Sequence, residues 1–147
     1  MTDTNFILPI LIAEDDEDDY LLMLEALKEA GVKNEVRWVK DGEELMVFLR
    51  SSVAVTNGGP AKPGMILLDL NMPRKDGREA LAEIKKDPLL RCIPVIIMTT
   101  SKAEVDITHT YSLGVNSFIQ KPVRFYDFVK IIKVLSEYWF NVVKLPS

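Results

Sequence analysis

A chain of 147 residues has room for one ordinary domain and little more, so it is read as a single domain over 1–147 with a core at about 8–135. Nearly half of its residues are hydrophobic, enough for a packed core, and its formal net charge of −4 lacks the clustered Lys and Arg that a nucleic-acid surface needs. The single cysteine, Cys92, excludes an internal disulfide, and no apolar run is long enough to span a bilayer; no membrane contact and a cytoplasmic location are expected. Cys92 stands before Ile93-Pro94 at the mouth of an apolar run and is expected to act as a small hydrophobe.

In chain order, Ile10-Leu11-Ile12-Ala13 predicts a buried strand, and a helix follows from about Asp18 to Ala30, stopped by Gly31. Tyr20, Met23, Leu24 and Leu27 give that helix its apolar face. Val36 to Val39 predicts a second strand, and Asp41-Gly42 turns into a helix carrying Leu45, Phe48 and Leu49. Residues 51–64, rich in Ser, Asn, Gly and Pro, read as an inserted loop. Met65 to Leu70 predicts a third strand and Gly77 to Lys86 a third helix, closed by Asp87-Pro88. Val95 to Met98 predicts a fourth strand, Ala103 to Leu113 a fourth helix, and Ser117 to Gln120 a fifth strand. A long apolar helix over about 126–141 ends the pattern.

Apolar strands alternating with helices predict βαβ units and a parallel sheet covered on both faces, hence an α/β fold. The doubly wound five-stranded order 2-1-3-4-5 with five helices is the leading topology. It places a crevice at the C-terminal ends of strands 1 and 3.

That rim would gather Glu14-Asp15-Asp16, Asp69, Thr99-Thr100-Ser101 and Lys121-Pro122. Each has an ordinary explanation taken singly. Asp69 would be a turn former, and the acids after strand 1 would start a helix, as Asp18 and Asp19 are expected to do. The hydroxyls would cap helix 4, and Lys121 would be a surface lysine. Four such features at the same end of successive strands ask for a common reason. Two carboxylates about 5 Å apart repel by about 3 kcal/mol at an effective dielectric near 20. A hard divalent ion with oxygen ligands would offset that, with carboxylates from Asp15 and Asp69 and a loop carbonyl such as that of Asn71. A carboxylate can also be a nucleophile, with an ammonium and a hydroxyl facing the charge of a phosphoryl group.

The run Asp69-Leu70-Asn71-Met72-Pro73-Arg74-Lys75-Asp76-Gly77, with the acids after strand 1, Pro94 to Thr99 and Phe118-Ile119-Gln120-Lys121-Pro122, resembles the receiver domains of bacterial response regulators over roughly Leu8 to Leu135. The resemblance implies the flavodoxin-like receiver fold and a non-enzymatic role in two-component signalling. In it, Asp69 would take a phosphoryl group from a sensor histidine kinase, with Mg²⁺ (or Mn²⁺) as cofactor. Asp15, Asp69 and the backbone carbonyl of Asn71 would hold the metal, Glu14 through water. Thr99 and Lys121 would each bond a phosphoryl oxygen, and the Lys121–Pro122 bond would be cis. Phe118 stands at the family's aromatic switch position, although an aromatic there is also ordinary packing.

Only about a dozen residues follow the matched region, so output is expected through protein contacts of the helix 4–strand 5–helix 5 face. Phe128, Ile131, Ile132, Leu135, Trp139 and Val142 form a stripe wide enough to predict a homodimer through the last helix. The inserted loop and the segment Trp139 to Pro146 are similar to small response regulators paired with bacterial phytochromes, which implies a phytochrome-type kinase as partner. Two other readings stay open. One is an aspartyl-phosphate phosphatase-type enzyme, disfavoured because Asn71 replaces the second acid such enzymes carry. The other is an unphosphorylated receiver-like scaffold.

Overall fold

Four consecutive apolar residues form β1 (Ile10–Ala13), and all four are buried, as a strand covered on both faces requires. The computed structural model describes residues 8–54, 59–100 and 103–139. After β1 come α1 (Glu17–Glu29), β2 (Val36–Val39), α2 (Gly42–Val53), β3 (Met65–Leu68) and α3 (Gly77–Lys86). Then follow β4 (Val95–Thr99), α4 (Glu104–Leu113), β5 (Ser117–Gln120) and α5 (Phe125–Glu137). Every strand pairing is parallel and the order is β2-β1-β3-β4-β5, the doubly wound arrangement the alternation predicts.

Successive strand side chains point to opposite faces. Ile10 and Ile12 therefore join Met23 and Leu27 of α1 and Phe128 and Ile132 of α5 in one core. Leu11 and Ala13 join Leu45 and Leu49 of α2 and Leu81 and Ile84 of α3 in the other. Both cores keep the strand ends fixed, and those ends carry the polar residues.

Three helices start on an aspartate whose side chain accepts from backbone N–H groups of the first turn: Asp16 for α1, Asp41 for α2 and Asp76 for α3. α4 departs from the expectation. Its N-cap is Ala103, which has no hydroxyl to offer, while the Thr99 hydroxyl is spent elsewhere. α4 also buries only Asp106 and Thr110. A fork of bonds fastens it to α3, Arg78 Nε to Asp106 Oδ1 at 2.6 Å and Arg78 Nη2 to Asp106 Oδ2 at 2.7 Å.

Some boundaries also differ. α2 runs on to Val53, so the loop after it starts later than residue 51; the Ser52 hydroxyl bonds back to the Leu49 carbonyl at 2.7 Å and fits the last helical turn. β3 ends at Leu68 rather than Leu70. Cys92 is exposed, because Ile93 rather than its neighbour takes the buried place before β4. Residues 55–58 of the inserted loop, Ser101, Val142 and the stretch from 140 to Pro146 lie outside the described residues. No described helix is long and apolar enough to cross a membrane.

Candidate functional site

The parallel register sets β1 and β3 side by side with Ala13 opposite Leu68, so the residues that follow leave the sheet together. The Glu14 N–H bonds to Val39 O at 3.0 Å, and the Asp69 N–H to Ala13 O at 3.0 Å, which ties both acids to the sheet edge. Carboxylate oxygens of Glu14, Asp15 and Asp69 all lie within 4.8 Å of one another. Glu14 is 1% exposed and Asp69 6%, while Asp15 faces solvent. Three acids so close, all with hard oxygen donors and one of them open to solvent, fit a divalent cation of the Mg²⁺ or Mn²⁺ kind.

β4 and β5 bring the other groups. The Thr99 hydroxyl donates to Asp69 Oδ1 at 2.8 Å, and the Asn71 N–H donates to the same oxygen at 3.0 Å. The Asn71 side-chain amide in turn donates to Thr99 Oγ1 at 3.4 Å. Lys121, just past β5, places Nζ 2.9 Å from Asp69 Oδ2, 2.5 Å from Glu14 Oε2 and 3.1 Å from Asp19 Oδ2. An ammonium has three N–H donors, so these acceptors use all of them. Of the residues expected at the rim, Asp69, Thr99, Lys121 and Glu14 are thus joined by direct hydrogen bonds, with Asp15 close by.

The electrostatics follow from this crowding. Burial pushes the Glu14 carboxyl up to about 8; its hydrogen bond with Asp69 adds to the rise and Lys121 opposes it. For Asp69 burial acts upward too, but the hydrogen bond with Glu14, the Lys121 ammonium and the Asn71 N–H together hold it below the ordinary carboxylate value. Burial works against the Lys121 charge, and the bonds to Glu14 and Asp69 more than compensate, so its pKa is raised. Burial thus favours the protonated form of Glu14, while Lys121 and the Asn71 N–H favour the charged form of Asp69.

Backbone geometry confines the loop that follows Asp69. Gly77 starts α3 with its N–H on Leu70 O at 2.9 Å, and a Cβ there would fall 2.3 Å from the Asp69 carbonyl oxygen. Only glycine lets the chain return so close beneath Asp69. Gly42 is equally confined: its N–H bonds Lys75 O at 2.9 Å, and a Cβ would meet that oxygen at 2.0 Å. The loop between β3 and α3 is thereby fastened to the start of α2. Phe118 packs, partly buried, against the core of the α2–α4 side, and its N–H donates to the Tyr111 hydroxyl of α4 at 3.1 Å. Among the described residues there is no cis peptide bond, so Lys121–Pro122 is trans, contrary to the expectation. Trans is the lower-energy form of an X–Pro bond by about 0.5–1 kcal/mol.

Two participants were not foreseen. Asp19 was expected only to help start α1, yet it reaches Lys121. Trp38 of β2 donates its indole N–H to the Glu14 carbonyl at 2.7 Å, and its ring stacks on Tyr20 with centroids 4.1 Å apart. A strand tryptophan one residue before the strand's end, beside an acidic loop, is the signal that could have located it.

Comparison with known proteins agrees with this geometry. The family model for the response regulator receiver domain matches residues 10–133. The response regulator Rcp1 of Synechocystis is 40% identical over 138 residues, 94% of this chain and 92% of that protein. The crystal structure of the phosphorylated cyanobacterial phytochrome response regulator RcpA is 44% identical, superposes with a TM-score of 0.87, and is matched over 96% of this chain and 99% of that one. The Mn²⁺-bound form of Rcp1 is 39% identical with a TM-score of 0.85, over 95% of this chain and 99% of that one. With the fold, the acid cluster and these likenesses in agreement, the chain belongs to the response regulator receiver domain family.

Proposed function

We propose that Asp69 is the phosphoacceptor of this response regulator. It would receive its phosphoryl group from the phosphohistidine of a sensor histidine kinase in the cytoplasm. The observation that carries the reading is that the buried Asp69 carboxylate is held between Lys121 Nζ at 2.9 Å and the Thr99 hydroxyl at 2.8 Å. An oxygen of the ionised carboxylate attacks phosphorus, the bond to the imidazole nitrogen breaks, and its electron pair leaves with the histidine. Lys121 and Thr99 then exchange carboxylate oxygens for phosphoryl oxygens, where charge has accumulated. Asp15, Asp69 and the Asn71 carbonyl would hold Mg²⁺, with Glu14 acting through water. When bound, the ion supplies neutralisation of the phosphoryl charge and of the acid cluster. The same groups would assist hydrolysis of the aspartyl phosphate.

Phosphorylation adds about one and a half to two negative charges, and only contacts that differ between two conformations can move their balance. Thr99 ends β4 and Phe118 lies on β5, so the signal would emerge on the α4–β5–α5 face, with ring position at Phe118 as the switch. The likeness to RcpA, a phytochrome response regulator, supports a phytochrome-type kinase as partner. We also infer self-association through α5 and its C-cap, where Val134 is 68% and Tyr138 50% exposed.

Incubation with acetyl phosphate and Mg²⁺, read by intact mass, tests the central assignment. Wild type should gain an adduct of about 80 Da that Asp69→Asn lacks. Labelling that survives the substitution would overturn the site, and no labelling of wild type would favour the unphosphorylated scaffold.

A further inference from the structure

We propose that Asp19 is a positioning residue for Lys121, the acceptor that keeps the ammonium in place when Glu14 and Asp69 are engaged by other groups. The inference rests on the phosphoacceptor reading and names a residue that this reading does not include. Lys121 bonds three carboxylates, and they differ in what else is asked of them. Glu14 and Asp69 belong to the cluster that can hold a cation, whereas Asp19 does not. Asp69 must in addition carry the phosphoryl group. Asp19 alone is left to Lys121.

The position of Asp19 suits this task. It projects from the first turn of α1, and its side chain remains 39% exposed, while that of Lys121 is 6% exposed. A desolvated ammonium that loses its partners is costly, and it would follow water into any open space. Such a space exists: a cleft of about 240 Å³ lined by Asp19, Leu22, Lys121 and Pro122 opens beside the pair. With Asp19 present, one N–H is retained on that side and the remaining two stay aimed at the acid pair. The first turn of α1 also carries Asp18, an exposed acid of the same charge with no bond to Lys121, so the two positions separate a specific contact from a general effect of helix-start acids.

The test compares Asp19→Asn with Asp18→Asn in the full chain. At saturating Mg²⁺ the maximal rate of labelling by acetyl phosphate should fall about threefold to tenfold in Asp19→Asn and stay near wild type in Asp18→Asn. Asp19→Glu should recover part of the loss, and Asp19→Asn should add nothing in a Lys121→Gln background. A second readout needs no phosphoryl donor. With Mg²⁺ present, so that Glu14 and Asp69 are engaged, the Lys121 ammonium should give a protected ¹H–¹⁵N NMR signal that persists in Asp18→Asn and is lost or strongly shifted in Asp19→Asn. Equal behaviour of the two variants in both measurements would overturn the proposal. Failure of wild type to label would instead count against the phosphoacceptor reading, while the NMR comparison would still decide the role of Asp19.

Discussion

Glu14 keeps a proton at neutral pH that a carboxyl in water gives up below pH 5, because it is buried against Asp69. The linkage has a definite sign. Between the ordinary value of 4.5 and about 8, the folded chain binds a proton that the unfolded chain does not, so this group's contribution declines as pH rises through that window. Asp69, held below its ordinary value, contributes at and above that value and is constant over the same range. Metal-free protein should therefore lose roughly 2–4 kcal/mol between pH 5 and 8.5 by urea titration. Glu14→Gln, which keeps a donor toward Asp69, should flatten that profile, and Mg²⁺ should release protons from wild type at pH 7. A profile unchanged by the substitution would assign the loss to other groups. At this scale the sequence was legible where residue type and strand end coincide, as for Asp69 and Lys121. It was illegible for Asp19, because Asp18 and Asp19 are chemically equivalent until the fold puts one of them beside a lysine 102 residues away.

Among elements, α3 and β5 were read at their observed limits. Asp76 caps one end of α3 and Asp87-Pro88 closes the other, while β5 has Gly114 before it and Pro122 after it. α4 lies within the span read for it, but its N-cap is Ala103 rather than one of the hydroxyl residues, and its buried residues are Asp106 and Thr110. Periodicity in hydrophobic residues cannot reveal a helix attached by a guanidinium. That attachment makes α4 dependent on Arg78, whose pKa is raised chiefly by its bond to Asp106. Arg78→Ala should cost about 1–3 kcal/mol of stability. It should also speed amide hydrogen exchange across Glu104–Leu113 more than in the rest of the chain. Uniform exchange changes would show that the fork serves stability alone.

For the whole molecule, topology is what makes a site from residues 107 apart, as for Lys121 and Glu14. The alternation of strands and helices made β2-β1-β3-β4-β5 the leading order, and the sheet has that order, which sets the strand ends that meet. Association of molecules was less open to that logic, since one helix stripe must serve both the core and any partner. Phe128 and Ile132 are buried and Ile131, Leu135 and Trp139 also pack on the core, while Val134 and Tyr138, outside that stripe, remain exposed. Light scattering at tens of micromolar should report a dimer for wild type, and Val134→Glu should shift it to monomer. A wild-type monomer, with and without acetyl phosphate, would remove self-association from the account.

β5 ends the sheet, and the Tyr111 hydroxyl occupies the Phe118 N–H that faces away from β4. An edge strand ordinarily invites another chain to extend the ladder. With that donor covered from α4, backbone-to-backbone annexation is obstructed along this border. The cover belongs to α4, so moving that helix would uncover the Phe118 main chain.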